Sequence, residues 1–330
     1  MLPLRVNTVD RIAAVDAPEW DALVDADDPF VEHAFLAALE RSGSVGADRG
    51  WAPHHVLVRD GGRLVAAAPL YVKTDSFGEY IFDWAWARAA NGAGIPYYPK
   101  LVSAVPFTPA SGRRLLAEGG ATDGPALSAL VGGIRGVAEE IGASSIHLLF
   151  MREAEQQALA REHQFLPRLT YQFHWQSDGA ASFDEWLGSL RATARKQVRR
   201  ERRQVAEAGL RVRAVRGAEL DDGDVEALRR FYRGTIARHG GRVYLTPAFF
   251  DELRGGLAPR VLAIFALRGE TRVAGALAFE KGRALYGRTW GADEDVSGLH
   301  FELCYYRLIE HALAHGLTRI EAGAQGEHKL

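Results

Sequence analysis

The chain has 330 residues, enough for two domains of ordinary size, and its 47% hydrophobic and 25% charged residues are those of a globular protein rather than a disordered one. Lys plus Arg number 40 against 42 Asp plus Glu, so no global charge steers the protein toward nucleic acid or a membrane. The single cysteine, Cys304, excludes an intramolecular disulfide framework and a thiolate zinc site; no leader-like N-terminus and no apolar run of roughly 20 residues is present, so a cytoplasmic protein is expected.

In chain order, an alternating strand over Leu4–Val9 comes first. A helix follows, capped by Asp16 with Pro18 near its start. A second helix is expected to open at Asp28-Pro29 and to carry Phe35, Leu36 and Leu39. A β-hairpin turns at Asp60-Gly61-Gly62. Next comes an unusual stretch, about Phe77–Arg113, where Trp84, Trp86, Tyr97 and Tyr98 sit among Gly92, Gly94, Pro96, Pro99, Pro106 and Pro109. Long irregular loops inside compact domains are often functional. A long helix over about Ala126–Ile141 ends at Gly142, followed by a buried strand, Ile146–Phe150. A polar helix over about Glu153–His163 leads to a strand at Tyr171–Trp175, which completes a first domain of residues 1–176.

A basic helical connector occupies residues 177–209. Ser182 and Glu185 form a capping box for one helix, and Ala192–Ala208 reads as another, ending at Gly209. The second carries Arg191, Arg195, Lys196, Arg199, Arg200, Arg202 and Arg203, offset by one acid, Glu201. Arg195, Arg199 and Arg202 share one face, and Lys196, Arg200 and Arg203 the adjacent one. Like charges this dense repel unless an anion such as a phosphate, or acids elsewhere in the chain, neutralise them.

From residue 210 the pattern restarts. Leu210–Val215 repeats Leu4–Val9 at an offset of 206, Arg268–Gly275 repeats Arg59–Ala66 at 209, and Gly316–Ile320 repeats Gly142–Ile146 at 174. Thr246-Pro247 opens a helix with Phe249, Phe250 and Leu253, a hairpin turns at Gly269-Glu270-Thr271, and a long helix over about Leu299–His315 precedes a strand at Ile320–Ala322. Each unit reads β-α-α-β-β-(β)-α-β. The fall in offset gives the first unit about 35 extra residues, and Leu330 aligns with Gln156, so the second copy, residues 210–330, is expected to be truncated at its C-terminus by about 20 residues. The order resembles the acetyltransferase (GNAT) fold. The expected class is α/β (α+β): tandem duplicated mixed sheets with helices on both faces, and a ligand cleft between the halves.

Several residues suit acyl-transfer chemistry. Alternation along Leu285–Trp290 puts Tyr286, Arg288 and Trp290 on one strand face, and Gln172 and His174 share a face opposite Tyr171, Phe173 and Trp175. His300 and Glu302 lie roughly 200° apart around their helix, so they form no dyad, but either could take the proton of an acceptor amine. Proximity to a helix N-terminus favours the neutral form of His300. Near the last strand, Gln325 and His328 add polar groups. Cys304 reads as a small buried hydrophobe. The loop Asp293–Gly298 has three acids and one glycine, and Thr122-Asp123-Gly124-Pro125 is no better; both are poor cradles for the pyrophosphate of coenzyme A.

Five separated segments then carry a family resemblance: Pro99–Pro109, Arg195–Arg202, Leu285–Gly291, Leu299–Tyr306 and Gly323–Lys329. The chain resembles the FemAB-like predicted N-acyltransferases, peptidoglycan biosynthesis proteins of bacteria. That resemblance implies a double GNAT fold and an acyltransferase that forms an amide on an amine acceptor in cell-envelope synthesis. The co-substrate is an acyl donor, whether aminoacyl-tRNA, acyl-carrier or acyl-CoA, with no tightly bound cofactor and no metal. Members continue beyond Glu327-His328-Lys329, in keeping with a truncated second copy. On this reading Tyr97, Tyr98 and Lys100 line the acceptor side, Lys196, Arg199 and Arg200 hold phosphate or carboxylate, and Tyr286, Arg288 and Trp290 line the donor. The alternatives are an acetyl-CoA-dependent N-acetyltransferase and a non-catalytic module binding an anionic ligand or RNA.

Overall fold

In the computed structural model, which describes residues 3–81 and 83–323, the chain divides after Thr170 into two units. The first unit contains strands β1 (Arg5–Val9), β2 (Trp51–Pro53), β3 (His55–Asp60), β4 (Arg63–Ala68), β5 (Tyr71–Lys73), β6 (Lys100–Ser103), β7 (Leu116–Ala117) and β8 (Ile146–Leu148). Its helices are α1 (Ala17–Asp21), α2 (His33–Arg41), α3 (Trp84–Gly92), α4 (Pro125–Glu140) and α5 (Glu153–His163). The strands form two ladders, β1-β3-β4-β7 and β2-β5-β6-β8. The split has a local cause. Pro69 follows β4 and has no N–H to give, and Pro53 ends β2. A bond from His54 N–H to Leu70 O, 2.7 Å, bridges the gap. β6 and β8 run parallel, with Leu101 opposite Ile146.

The core of this unit lies between the β3–β4 hairpin and α4. Val56, Val58, Ala66 and Ala68 pack on Leu127, Leu130, Val131 and Ile134, which recur at helical spacing along one face. Asp16 caps α1 through Glu19 N–H, as expected. α2, however, starts at His33 and not at Asp28-Pro29. Asp28 is buried and serves a tertiary role instead: it accepts from Phe30 N–H at 3.0 Å and faces Arg114 at 3.8 Å. The extra residues of this unit also differ from a single irregular loop. β6 lies in their midst because it pairs with β5, so they fall into two stretches, 74–99 and 104–124, and the first contains α3.

The second unit contains β9 (His174–Gln176), α6 (Phe183–Ser189), α7 (Ala192–Glu207), β10 (Arg211–Arg216), α8 (Asp222–Arg238), α9 (Pro247–Asp251), β11 (Val261–Arg268), β12 (Thr271–Lys281), β13 (Ala284–Ala292) and β14 (Arg319–Glu321). Its long helix, α10, starts as Leu299–Phe301, passes through a π turn over Glu302–Tyr306 and continues as Arg307–Ala314. One six-stranded sheet runs β10-β11-β12-β13-β14-β9, and only β13 and β14 are parallel. β12 is a single strand where the first unit has β4 and β5. Both long helices end at a glycine in the left-handed region, Gly142 (φ 64°) and Gly316 (φ 68°), a conformation that costs other residues a Cβ clash.

The boundary falls earlier than residue 176. The strand expected to complete the first sheet instead pairs antiparallel with β14, Trp175 opposite Ile320, and Trp175 packs on the second core. An unpaired β14 would present a row of bare peptide groups, which this pairing satisfies. The helices of 177–209 likewise belong to the second unit: Val205 of α7 joins its main core, and Leu187, Val198 and Tyr306 form a satellite cluster. Among the described residues no helix is long and apolar enough to cross a membrane.

Candidate functional site

In the second unit the parallel pair β13/β14, the strand β9 beside it and the start of α10 carry several of the expected residues. β13 carries a bulge. Leu277 faces Thr289 while Ala278 faces Gly287, so Arg288 is the extra residue. Paired residues point to the same side of a sheet, and the bulge shifts the alternation by one. Tyr286, opposite Phe279, and Trp290, opposite Ala276, therefore lie on opposite faces instead of forming one stripe with Arg288. Trp290 packs on the core that includes Leu299 and Leu303, and its ring meets His300 at 5.2 Å. Tyr286 is buried, and its hydroxyl accepts from Arg319 at 2.8 Å. Glu321 is buried next to it in register, 3.7 Å from Arg319 and 3.9 Å from His174. Gln172 lies within hydrogen-bonding distance of His174 at 3.3 Å. Burial first, and then the charge of Arg319, hold the imidazole of His174 below its ordinary value.

His300 sits at the beginning of α10 in an aromatic surround, with Phe301 at 5.5 Å and Tyr305 at 5.8 Å. Burial, helped by Cys304, pushes the Tyr305 phenol up to about 12, so it stays protonated and can donate. Cys304 itself is partly buried and packs on the core. Glu302 faces away into an ion network. Arg202 approaches its Oε2 at 3.2 Å, Arg307 donates to its Oε1 at 2.7 Å, and Glu310 joins both arginines. The opposite placement of His300 and Glu302 follows from their spacing. The partners of Glu302 were not readable from it, because Arg202 is a hundred positions away; the i,i+3 pair Arg307–Glu310 was the one local signal.

The basic helix α7 packs one face against α10. Val198, Glu201 and Val205 are its buried residues, and Tyr306 donates to Glu201. Gly298, at φ 79°, stands so near α7 that a Cβ there would lie 2.8 Å from that of Glu201. The glycine preceding α10 is thus required by helix contact. Two of the three acids of the same loop are paired as well, Asp293 with Arg230 and Glu294 with Arg268. Six of the seven bases divide by role. Arg202 turns inward to Glu302 and Glu310, and Arg195 caps the carbonyls of Gly188 and Leu190 at 2.9 Å each. Lys196, Arg199, Arg200 and Arg203 are exposed and form no ion pair among the described residues.

In the first unit Tyr97, Tyr98 and Lys100 do come together, around a buried charge. The Lys100 ammonium donates to Asp83 at 2.5 Å, Glu79 at 2.9 Å and Ser76 at 3.2 Å, with the Tyr97 ring centre 5.4 Å and the Tyr98 ring centre 5.7 Å away. Tyr97 donates to Asp83 at 2.8 Å, and the Tyr98 and Ser76 hydroxyls are 2.6 Å apart. Burial pushes the Glu79 carboxyl up to about 7 against the pull of Lys100. Burial also acts upward on Asp83, but bonds from Lys100, Ser76 and Tyr97 outweigh it and hold that carboxyl below its ordinary value. Lys73 lies nearby over the Trp51 ring at 4.2 Å, and burial lowers its ammonium. Burial, with Lys100 beside it, lowers His147 to about 4. Ser76, Glu79 and Asp83 were missed in sequence; their signal was the acid pair at i,i+4 before an ammonium that the strand buries. Gln325 and His328 lie outside the described residues.

A family model, FemAB-like, described as peptidoglycan biosynthesis/recognition, matches residues 11–330. No curated protein matches the chain. Among solved structures, FemX is similar at 13% identity and a TM-score of 0.56, covering 97% of this chain and 89% of that one. The C-terminal domain of a putative lysylphosphatidylglycerol synthetase from Agrobacterium fabrum is similar at 13% identity and a TM-score of 0.57, covering 95% and 79%. L-PGS from Bacillus licheniformis follows at 10% and 0.53, covering 90% and 76%. At such identities the likeness is one of fold, and the fold is the duplicated GNAT-like arrangement that the internal repeat indicates.

Proposed function

The chain belongs to the FemAB-like family, and from that premise we propose that it is a transferase forming an amide, moving an acyl or aminoacyl group from an activated donor to an amine of a peptidoglycan precursor. The observation that carries this reading is the open row of Lys196, Arg199, Arg200 and Arg203 on α7, the helix that packs on the beginning of α10 where His300 sits. Four cations without an ion pair among the described residues are a site for the phosphates of a donor or acceptor. The paired acids of the loop before α10, and the tight approach of Gly298 to α7, favour a tRNA or carrier donor over coenzyme A. The likeness to a putative lysylphosphatidylglycerol synthetase supports an aminoacyl donor.

His300 is the general base of the proposed step. Glu302 is occupied by Arg202 and Arg307 and serves to fasten α7 to the π turn. His300 accepts the amine proton as the nitrogen lone pair attacks the acyl carbonyl; the carbon–oxygen or carbon–sulfur bond to the carrier breaks, and that proton passes to the leaving group. Trp290, whose ring meets His300, flanks the donor through the bulged strand. Backbone N–H groups polarise the carbonyl, and positioning supplies much of the rate.

A transfer assay with labelled aminoacyl-tRNA or acetyl-CoA and a muropeptide precursor tests this. Aminoacylated product is expected from the tRNA donor, with turnover reduced about 10²–10⁴-fold in His300→Ala. Product from acetyl-CoA alone, or full turnover in His300→Ala, overturns it. Salt-sensitive binding of RNA without any product would establish the non-catalytic alternative.

A further inference from the structure

The first unit also carries an apolar surface that the transfer reading does not use. α3 buries none of its side chains. Trp86 on it, and Ile95 just beyond its end, are each 60% exposed. A second segment, after α5, leaves Leu166 at 89% and Leu169 at 90% exposure. The two segments are neighbours, because the Arg168 guanidinium lies over the Trp86 ring at 5.3 Å. Phe77, 42% exposed, extends the patch through its edge contact with Trp84 at 4.8 Å.

The charge of the patch has one sign. Between Trp84 and Pro99 the only charged residue is Arg88, and between Gln164 and Thr170 it is Arg168. Neither forms an ion pair among the described residues. The nearby acids Glu79 and Asp83 are buried against Lys100 and show no negative face to solvent. Large aliphatic tips standing almost wholly in water are unfavourable unless something covers them. Indole rings with aliphatic tips and arginines match the boundary between lipid headgroups and acyl chains, where the ring sits at headgroup depth and the cation meets phosphate.

We propose that Trp86, Ile95, Leu166 and Leu169, with Arg88 and Arg168, dock the first unit on the surface of a bilayer containing anionic phospholipid. Contact is peripheral, since no described helix is long and apolar enough to cross a membrane. The inference rests on exposure and charge and does not require the transfer reading.

Flotation of the full chain with vesicles of phosphatidylglycerol and phosphatidylethanolamine, and separately of phosphatidylcholine alone, tests it. The protein is expected to float with the anionic vesicles at low salt and to remain behind with the neutral ones. Trp86→Ser with Leu169→Ser, or Arg88→Gln with Arg168→Gln, should each weaken binding about tenfold or more, with unchanged melting. Lys196→Gln with Arg199→Gln and Arg200→Gln should leave most of it in place. Absence of flotation overturns the proposal. So does binding that survives the patch variants but is lost with the α7 variant. A patch variant that alters only self-association in gel filtration would assign the surface to a second copy instead.

Discussion

The two units share a strand order yet treat charge in opposite ways. In the first, a lysine ammonium is buried with two carboxylates, and Glu79 is pushed up to about 7 because burial outweighs Lys100. In the second, Glu280 is held down at about 2, chiefly by its bond from His311 and against its partial burial, with Arg216 adding to the pull. Glu302 rests between two arginines that themselves reach solvent. The cause is what each copy places beside its strands. The stretch 74–99 brings Ser76, Glu79 and Asp83 to Lys100 on β6, so the ion cluster closes off from water. The second unit lacks such a stretch and relies on guanidinium forks, whose planar heads engage carboxylates from half-exposed positions. Duplication preserved ladders and helices, while insertion decided the electrostatics.

Replacing Lys100 with Met should break that contrast most severely. It strands two buried acids and should cost about 3–5 kcal/mol in urea unfolding, with partial recovery when Glu79→Gln is added. The next effect is one of pH. Glu79 has a folded value above its ordinary 4.5, so its stabilising contribution is present below about 4.5 and is lost as pH rises through 7. The stability of the parent relative to Glu79→Gln should therefore fall by about 3 kcal/mol over that window. His147 acts in the opposite direction, losing stability as pH falls from 6.5 through 4, but it is common to both proteins and cancels in the difference. Glu302→Gln should cost less, about 2 kcal/mol, because Arg202 and Arg307 keep Glu310. Neutralising Lys196, Arg199 and Arg200 together should change stability by no more than about 0.5 kcal/mol per site, since they form no ion pair among the described residues. A larger loss would mean that the open cations hold the fold rather than a ligand.

What the chain disclosed in advance was mostly local. Asp16, the Ser182–Glu185 pair and the two helix-ending glycines act within a turn of their own position, and each performs as its chemistry suggests. The helix α3 was equally local but was masked by the glycines and prolines around it, although Ala85, Ala87, Ala89 and Ala90 are good helix formers. The rest depended on distant partners. The bulge at Arg288 is a fact about register against β12, and alternation along one strand cannot reveal it. The ion pair of Glu302 with Arg202 joins residues a hundred positions apart. A strand at Tyr171–Trp175 was legible as a strand, but not which sheet would take it.

That last point reaches into how the protein is made and divided. During synthesis β9 leaves the ribosome before every other strand of its sheet, yet its partner β14 is the last of them to appear. The segment must wait, solvated, while β10 to β13 are delivered, a long-range closure that slows folding. For anyone cutting the gene in two, the repeat that restarts at residue 210 is a misleading guide. A fragment begun there abandons Trp175 and offers Ile320 and its neighbours as a template for stray chains, whereas one begun at Tyr171 keeps its own closing strand.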